Sequence, residues 1–205
     1  MTLCLVTDRR RRPVIAQCRD AVSAGIDLVQ LREPDLEAGA LAELASALVE
    51  IARGTLTRIV VNDRIDVAMA CHAHGVHLRG DSIPPARART MTPPGFLIGR
   101  SVRTVQESLS AAAGADYLIA GTVFETTSKP GLQRHLGVEG LAAIAGAARL
   151  PVLAIGGMSV DRVEAVARAG AAGVAAIGLF DAGGQRLAAA VREVRRRFDS
   201  ARSAS

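Results

Sequence analysis

A chain of 205 residues that is 49% hydrophobic and 22% charged has the length and composition of one globular domain. Its net charge of +5 comes with only 2% aromatic residues and no tryptophan, which disfavours nucleic acid as a partner because stacking side chains are scarce. No apolar segment is long enough to span a membrane. We therefore expect a cytoplasmic protein with one domain over residues 1–205, an aliphatic core and a frayed tail over residues 201–205.

The cysteines and the basic residues add two expectations. Cys4, Cys18 and Cys71 follow no C-x-x-C pattern, so we expect buried apolar residues rather than disulfides or a zinc site. The basic run Arg9–Arg12 is predicted to lie on a solvated surface. Lys129 is the only lysine of the chain, and a compact ammonium group suits phosphate binding or proton transfer.

Strand-like apolar segments alternate with amphipathic segments along the whole chain. The predicted strands are Leu3–Thr7, Leu28–Leu31, Arg58–Val61, Gly75–Leu78, a segment that opens at Leu97–Ile98, Tyr117–Ala120, Val152–Ile155 and Gly173–Ile177. The predicted helices are Pro13–Ala24, Asp35–Arg53, Arg64–Cys71, Pro84–Thr90, Thr104–Ala113, 137–147, Ser159–Ala169 and 184–198. Eight such βα units with short connections predict a parallel sheet closed as a (β/α)8 TIM barrel. The alternative, an open doubly wound sheet, is disfavoured because no Gly-x-Gly-x-x-Gly follows the first strand.

The last two predicted strands end in glycine. Gly156 and Gly157 follow the seventh strand, and Gly178 follows the eighth. Glycine leaves peptide N–H groups bare, and a helix that starts here, with Ser159 or Asp161 as its N-cap, adds partial positive charge. Barrels of this class often hold phosphate after strands seven and eight. We therefore predict a phosphoryl site at these glycines; the alternative is that they only permit tight turns.

Polar side chains follow the other predicted strands, where a barrel places its chemistry. They are Thr7 and Asp8 after strand one, Gln30 and Arg32 after strand two, Asn62 and Asp63 after strand three, His77 and Arg79 after strand four, Ser101 and Arg103 after strand five, and Thr122, Thr126, Thr127, Ser128 and Lys129 after strand six. The candidate site residues among them are Gln30, Arg32, Asn62, Asp63, His77, Ser101, Thr122, Thr126 and Lys129. Arg32 and Lys129 supply positive charge and Asp63 a carboxylate, which suits an anionic phosphorylated small molecule. Each has a structural alternative when taken singly, such as a core histidine at His77 or backbone satisfaction by Gln30.

In these segments the chain resembles the thiamine phosphate synthase superfamily, which includes the TenI-like thiazole tautomerases. The segments that carry the resemblance are Leu5–Asp8, Val29–Glu33, Val61–Arg64, Gly75–Leu78, Gly99–Val102, Gly114–Tyr117, Gly121–Phe124, Thr126–Lys129 and Ala154–Gly157. They cover nearly the whole chain, in order and with the family's spacing. The resemblance implies a barrel whose partner is a phosphorylated thiazole, with the phosphate on Gly156, Gly157, Ile177 and Gly178.

The synthase of this superfamily joins a hydroxymethylpyrimidine pyrophosphate to the thiazole phosphate with the help of Mg²⁺. The chain departs from the synthase pattern at Pro34, where the family has a lysine, and at Ser82, where it has a metal-binding aspartate. Asp63 and Asp81 would be the metal carboxylates only if the protein is a synthase. Outside that alternative, the resemblance implies neither a metal ion nor another cofactor.

Segments such as Ile98–Val102 resemble the tautomerase branch more closely. Its reaction moves a proton on a carboxythiazole phosphate, which requires an acid or base group but no metal. The branch has a histidine after strand six, and here that position is Thr122. The candidate catalytic residues are therefore Asp63, His77, Thr122 by position, His135 and Lys129. The sequence favours a thiazole tautomerase, with a synthase or a non-catalytic phosphate-binding paralogue as alternatives, and it is compatible with a homo-oligomer.

Overall fold

The structure, a computed structural model, describes residues 1–126 and 135–203, and in it eight parallel strands form a closed barrel in chain order. The strands are β1 (Thr2–Val6), β2 (Leu28–Leu31), β3 (Arg58–Asn62), β4 (Gly75–Leu78), β5 (Leu97–Val102), β6 (Tyr117–Gly121), β7 (Val152–Ile155) and β8 (Gly173–Ala176). The helices are α1 (Val14–Ala24), α2 (Ala38–Ala52), α3 (Ile65–Ala70), α4 (Pro85–Arg89), α5 (Val105–Ala111), α6 (Gly137–Ala147), α7 (Val163–Arg168) and α8 (Gly184–Ser203). The ring closes where β8 pairs with β1, with Thr2 opposite Gly173. The predicted (β/α)8 barrel is confirmed.

Local sequence accounts for these elements. Every residue of β2, β4 and β8 is buried, as expected for strands that are covered by helices on one side and by the barrel interior on the other. Gly25 ends α1 in the left-handed region with a φ of 76°, which glycine adopts without strain. Thr104 and Glu107 form a capping box at the start of α5, so Thr104 is the N-cap of this helix.

The segment after β7 differs from the prediction of one helix from Ser159. It begins as a 3-10 turn, Val160–Arg162, and α7 follows it. Ser159 precedes the turn but makes no side-chain capping hydrogen bond, and Asp161 instead accepts a hydrogen bond from Arg197 at 3.1 Å. Ser159, one of the two predicted N-cap residues, therefore occupies the N-cap position without a side-chain hydrogen bond to the turn, and a binding site here depends on individual peptide N–H groups rather than on a long helix.

The last helix is longer than predicted. Helix α8 continues to Ser203 instead of fraying at residue 201, because Phe198 and Ala201 are buried against the barrel. Residues 204 and 205 lie outside the described part of the chain. Like the other helices of the described residues, α8 is not both long enough and apolar enough to cross a membrane.

The barrel interior is filled by inward-facing side chains. They are Cys4, Val6, Leu28, Val60, Tyr117, Ile119, Leu153 and Ala175. Gly99 on β5 creates the space for the only tyrosine of the chain, since a Cβ atom at Gly99 would lie 2.2 Å from Tyr117 Cζ and 2.4 Å from His77 Nδ1. Because Gly99 has no side chain, the rings of Tyr117 and His77 can pack together across β5, with their centroids 5.7 Å apart.

The cysteines have a structural role, as predicted. All three are buried and form no disulfide. Burial raises the pKa of the Cys4 and Cys18 thiols to about 12, so both stay protonated near neutral pH. Within residues 1–126 and 135–203, no group of three or more His, Cys, Asp and Glu side chains is placed to hold a metal ion.

Candidate active site

A cavity of about 1040 Å³ opens at the carboxyl ends of the strands. Residues at or just beyond the end of every strand contribute to its lining, as this fold requires of an active site. The predicted site residues that line it are Gln30, Arg32, Asn62, His77, Asp81, Ser101, Thr122, Thr126, Gly156, Gly157, Ile177 and Gly178. Three predicted residues stand apart. Asp63 borders a smaller neighbouring cavity of about 190 Å³, His135 lines neither of these two cavities, and Lys129 lies outside the described residues.

The glycines after β7 and β8 expose peptide N–H groups to the cavity. Gly157 has a φ of 62°, and a Cβ atom there would lie 2.3 Å from the Glu125 carbonyl oxygen, so a side chain does not fit. Gly156 has a φ of 101°, and a Cβ atom there would lie 2.3 Å from Thr122 Cγ2. Among the hydrogen bonds of the described residues, none uses the N–H of Gly157 or Gly178. Both donors are therefore available to an anion.

Two amides form the wall of the cavity at β2 and β3. Gln30 Nε2 donates to Asn62 Oδ1 at 2.9 Å, and Gln30 is only 3% exposed. The bond uses one donor of Gln30 and one acceptor of Asn62, so it fixes the orientation of both amides. The Gln30 oxygen and the Asn62 NH₂ group then remain for a ligand.

His77 is a neutral imidazole in the centre of the site. It is 2% exposed, with Nε2 2.9 Å from Ser101 Oγ and Nδ1 3.3 Å from Tyr117 Oη. Burial, aided by the nearby Arg100 guanidinium, lowers the pKa of His77 to about 3. An imidazole with this pKa and two engaged nitrogens is suited to orienting the Ser101 hydroxyl rather than to accepting a proton near pH 7.

The low pKa of His77 should therefore make the folded protein less stable as the pH falls below about 6.5. The folded pKa lies below the unfolded value of about 6.5, so between pH 6.5 and 3 the unfolded chain binds a proton here that the folded chain does not. The free energy of unfolding should fall as pH falls through this window, by up to about 1.4 kcal/mol per pH unit. Urea unfolding between pH 4.5 and 7.5 should show a smaller slope for His77→Asn than for the wild type.

The matched control for this measurement is His72→Asn. His72 is exposed, and its φ of 53° is one that asparagine tolerates, so the wild-type slope should persist. An NMR titration that placed the His77 pKa between 6 and 7 would contradict the assignment.

Arg79 lies between Asp63 and Asp81 at the edge of the cavity, which is called the rim below. Arg79 Nη2 donates to Asp81 Oδ2, and Arg79 Nη1 lies 3.9 Å from Asp63 Oδ2. The other Asp63 oxygen accepts the Ser82 hydroxyl and, at 3.5 Å, the Arg79 N–H. The pKa of Asp81 is lowered by its own backbone N–H and by Arg79. The sequence places Arg79 among the polar residues that follow the strands, but the prediction gave it no role in the site; in the structure it lines the cavity.

A buried carboxylate, Glu33, holds the ends of β1 and β2 together and was also missed. Glu33 Oε1 accepts the Thr7 hydroxyl at 2.7 Å, and the Arg9 N–H donates to both Glu33 oxygens at 3.2 and 3.1 Å. Thr7 Oγ1 in turn accepts the Arg32 N–H at 3.0 Å. Glu33 is 5% exposed, so this chain of hydrogen bonds fixes the backbone from which Arg32 reaches the cavity. Polar residues directly after two neighbouring strands were the available sequence signal.

The family model and the similar proteins of known sequence agree on one family. The family model described as thiamine monophosphate synthase matches residues 3–180. The chain is 40% identical over 205 residues to the thiamine-phosphate synthase of Methanoculleus marisnigri, which covers 98% of this chain and 97% of the relative. It is also 40% identical to the thiamine-phosphate synthase of Azorhizobium caulinodans over 181 residues, or 86% of this chain and 85% of the relative.

Solved structures agree with these relatives. The chain superposes on thiamine phosphate pyrophosphorylase from Pyrococcus furiosus with a TM-score of 0.85 and 33% identity, over 98% of this chain and 96% of that one. A 3-hexulose-6-phosphate synthase superposes with a TM-score of 0.71 over 96% of this chain and 99% of its own. At 21% identity, the second likeness indicates a shared fold alone.

Proposed function

Because the chain belongs to the thiamine monophosphate synthase family, we propose that it is a thiamine-phosphate synthase, which joins a hydroxymethylpyrimidine pyrophosphate to a thiazole phosphate. The observation that carries the proposal is the 40% identity to a named synthase over 98% of the chain. The relatives thus support the synthase alternative better than the tautomerase that the sequence favoured. In either case the chain belongs to an enzyme family of thiamine biosynthesis.

The charge distribution of the cavity supports a reaction between two phosphorylated substrates. The N–H groups of Gly157 and Gly178, after β7 and β8, suit the thiazole phosphate. Arg32, Arg79 and Arg103 line the cavity after β2, β4 and β5 and suit the pyrophosphate. The pyrophosphate gains negative charge as it leaves, and guanidinium groups already in place stabilise that charge. A cavity of about 1040 Å³ has room for both small molecules.

The uncharged centre of the cavity suits substrate positioning. We assign the His77–Ser101 pair to this task, since His77 is neutral, and we assign Asp63 to holding the Arg79 guanidinium. Thr122 is 8% exposed, and its methyl group lies where a side chain on Gly156 would have to be. Thr122 therefore shapes the cavity floor, and its hydroxyl is a poor base for the tautomerase reaction.

Some predictions concern parts of the protein beyond the described site. Thr126 lines the cavity directly before residues 127–134, which lie outside the described part and include Lys129. Lys129 stays a predicted cation for the negative charge of the substrates. The cytoplasmic location and a homo-oligomer likewise stay predictions.

The acidic residues of the rim do not fit a magnesium site. Mg²⁺ demands near-octahedral oxygen ligands, and a carboxylate that is paired with a guanidinium has to give up that pairing to bind the ion. Here Asp63 and Asp81 face one guanidinium, that of Arg79, and Asp63 also accepts from Ser82. The positive charge at this rim comes from Arg79, and the roles proposed for these residues involve no bound metal.

Product analysis tests the proposal directly. The protein should release pyrophosphate and form thiamine phosphate only when both the pyrimidine pyrophosphate and the thiazole phosphate are present, with Mg²⁺ in the buffer. Liquid chromatography of the products and a coupled pyrophosphate assay measure both. Arg32→Met keeps the side-chain stem but removes the cation, so it should slow release at least about tenfold because one charge-assisted contact is lost.

Arg19→Met is the matched control, since Arg19 is an exposed arginine of α1 and should leave the rate unchanged. A lower rate with Arg32→Met than with Arg19→Met also excludes a contaminating synthase as the source of product, because the activity of a contaminant would not change with either substitution. Conversion of carboxythiazole phosphate without pyrophosphate release would replace the proposal with the tautomerase. Thiazole phosphate binding without either reaction would identify a non-catalytic paralogue.

A further inference from the structure

The arginine run Arg9–Arg12 lies in the loop between β1 and α1, and its members do different things. Arg9 and Arg10 both donate to Asp35, at 2.8 and 3.3 Å. Arg12 donates to Asp20 at 2.5 Å and to the Asp181 carbonyl at 3.1 Å. Arg11 alone of the four lines the large cavity. Arg9, Arg10 and Arg11 are exposed, as expected for a solvated basic surface, but the four arginines pair with three different aspartates, Asp20, Asp35 and Asp181.

Arg11 is held beside the glycine end of the cavity. Its Nε donates to Asp181 Oδ2 at 2.7 Å, across 170 residues of sequence. Asp181 directly follows the 3-10 turn Gly178–Phe180 that begins after β8. A Cβ atom on Gly178 would lie 3.9 Å from Arg11 Nη2, so the guanidinium reaches the immediate surroundings of the Gly178 N–H.

We propose that Arg11 binds the phosphate of the thiazole substrate, opposite the N–H groups of Gly157 and Gly178, and that Asp181 orients it. This rests on the proposed function, since it names a further ligand of the same phosphate. The contact with Asp181 uses Nε, and the two NH₂ groups of the guanidinium remain to donate in parallel to phosphate oxygens. A dianionic phosphate then meets the free NH₂ donors of a guanidinium in addition to two peptide N–H groups.

The Arg11–Asp181 pair is better explained by ligand binding than by stability. The Arg11 side chain is 45% exposed, and a surface ion pair of this kind contributes only about 0–1 kcal/mol to folding. Arg12 already ties the same two loops together through Asp20 and the Asp181 carbonyl. The Asp181 side chain is 16% exposed, its Oδ1 has no hydrogen-bond partner among the described residues, and its Oδ2 pairs with Arg11.

Calorimetric titration with the thiazole phosphate tests Arg11. Arg11→Ala should raise the dissociation constant about 10- to 100-fold, the range expected when a charged hydrogen-bond donor is lost. The same variant should bind the corresponding thiazole alcohol, which lacks the phosphate, as the wild type does. Arg11→Lys should recover part of the affinity, because it restores the charge without the two-pronged geometry.

The matched control is Arg10→Ala, which removes the same charge from the same loop. Arg10 is 76% exposed, pairs with Asp35 and does not line the cavity, so its loss should change affinity less than threefold. Thermal unfolding checks that each variant is folded. Arg11→Met serves if Arg11→Ala proves unstable.

The outcomes separate this inference from the proposed function. Wild-type affinity in a folded Arg11→Ala variant, or equal losses for the phosphate and the alcohol, would overturn the role of Arg11. If the wild type did not bind the thiazole phosphate at all, the proposed function would fail. Titration with inorganic phosphate would then still test Arg11, which should bind this probe more weakly as Arg11→Ala than as Arg10→Ala.

Discussion

Gly157→Ala should bind the thiazole phosphate about 10- to 100-fold more weakly than the wild type, since a hydrogen bond to a charged group contributes about 1.5–3 kcal/mol. A Cβ atom at residue 157 would lie 2.3 Å from the Glu125 carbonyl oxygen and 2.9 Å from Phe124 Cβ. Relief of this overlap requires the loop after β6 or the residue itself to move. Either movement displaces the Gly157 N–H from the position at which it meets the phosphate.

The backbone conformation adds to this effect. Gly157 has a φ of 62°, and an L-residue in the left-handed region costs about 1–2 kcal/mol. Strain and overlap together should lower the melting temperature, so affinity has to be measured on protein that is shown to be folded at the temperature of the titration. Calorimetry and circular dichroism give both quantities.

Gly146→Ala is the matched control for Gly157→Ala. Gly146 lies in α6, and a Cβ atom there would meet nothing within 4 Å. Alanine should stabilise this helix by about 0.5–1 kcal/mol and leave affinity unchanged. Wild-type affinity in Gly157→Ala would remove the glycine end of the cavity from the phosphate site.

The barrel and the end of it that carries the site could be predicted from local sequence. Each strand is a short apolar segment that ends at a polar residue or a glycine, and this pattern also identifies the rim. Gln30, Asn62 and Ser101 were found because they occupy such ends. The glycines after the last two strands predicted the proposed phosphate site for the same reason. These inferences needed only neighbours in sequence and the period of a strand.

The relations between distant residues could not be predicted in this way. Arg11 looked like any member of its arginine run, because the carboxylate that holds it is 170 residues away. Asp63 was expected in the cavity, but its backbone adopts a φ of 59° and its side chain pairs with Arg79 and Ser82. The neutral state of His77 follows from burial, which depends on Gly99 admitting Tyr117 from a neighbouring strand.

Glu33→Ala should have the largest effect on stability among single substitutions at the rim. The substitution removes the acceptor of the Thr7 hydroxyl and of the Arg9 N–H. Glu33 is only 5% exposed, so water does not easily replace this acceptor. Loss of a buried charged acceptor costs about 1.5–3 kcal/mol, and donors left without partners add to it. We expect a loss of about 3 kcal/mol or more, or roughly 6–12 °C in melting temperature for a domain of this size.

Catalysis should fall further than stability alone explains, because Glu33 acts on Arg32 through Thr7. When Thr7 is no longer held, its Oγ1 no longer fixes the Arg32 N–H, and the guanidinium loses its fixed position at the cavity. Glu33→Gln keeps the size of the side chain and one acceptor oxygen, but its NH₂ group opposes the Arg9 N–H, so an intermediate loss is expected. Glu37→Ala, at an exposed glutamate of the same loop, should change stability by less than about 0.5 kcal/mol. Urea unfolding and steady-state kinetics at a temperature where every variant is folded measure both effects. Equal activity of folded Glu33→Ala and wild-type protein would show that the bonds from Glu33 to Arg32 serve the fold and not the reaction.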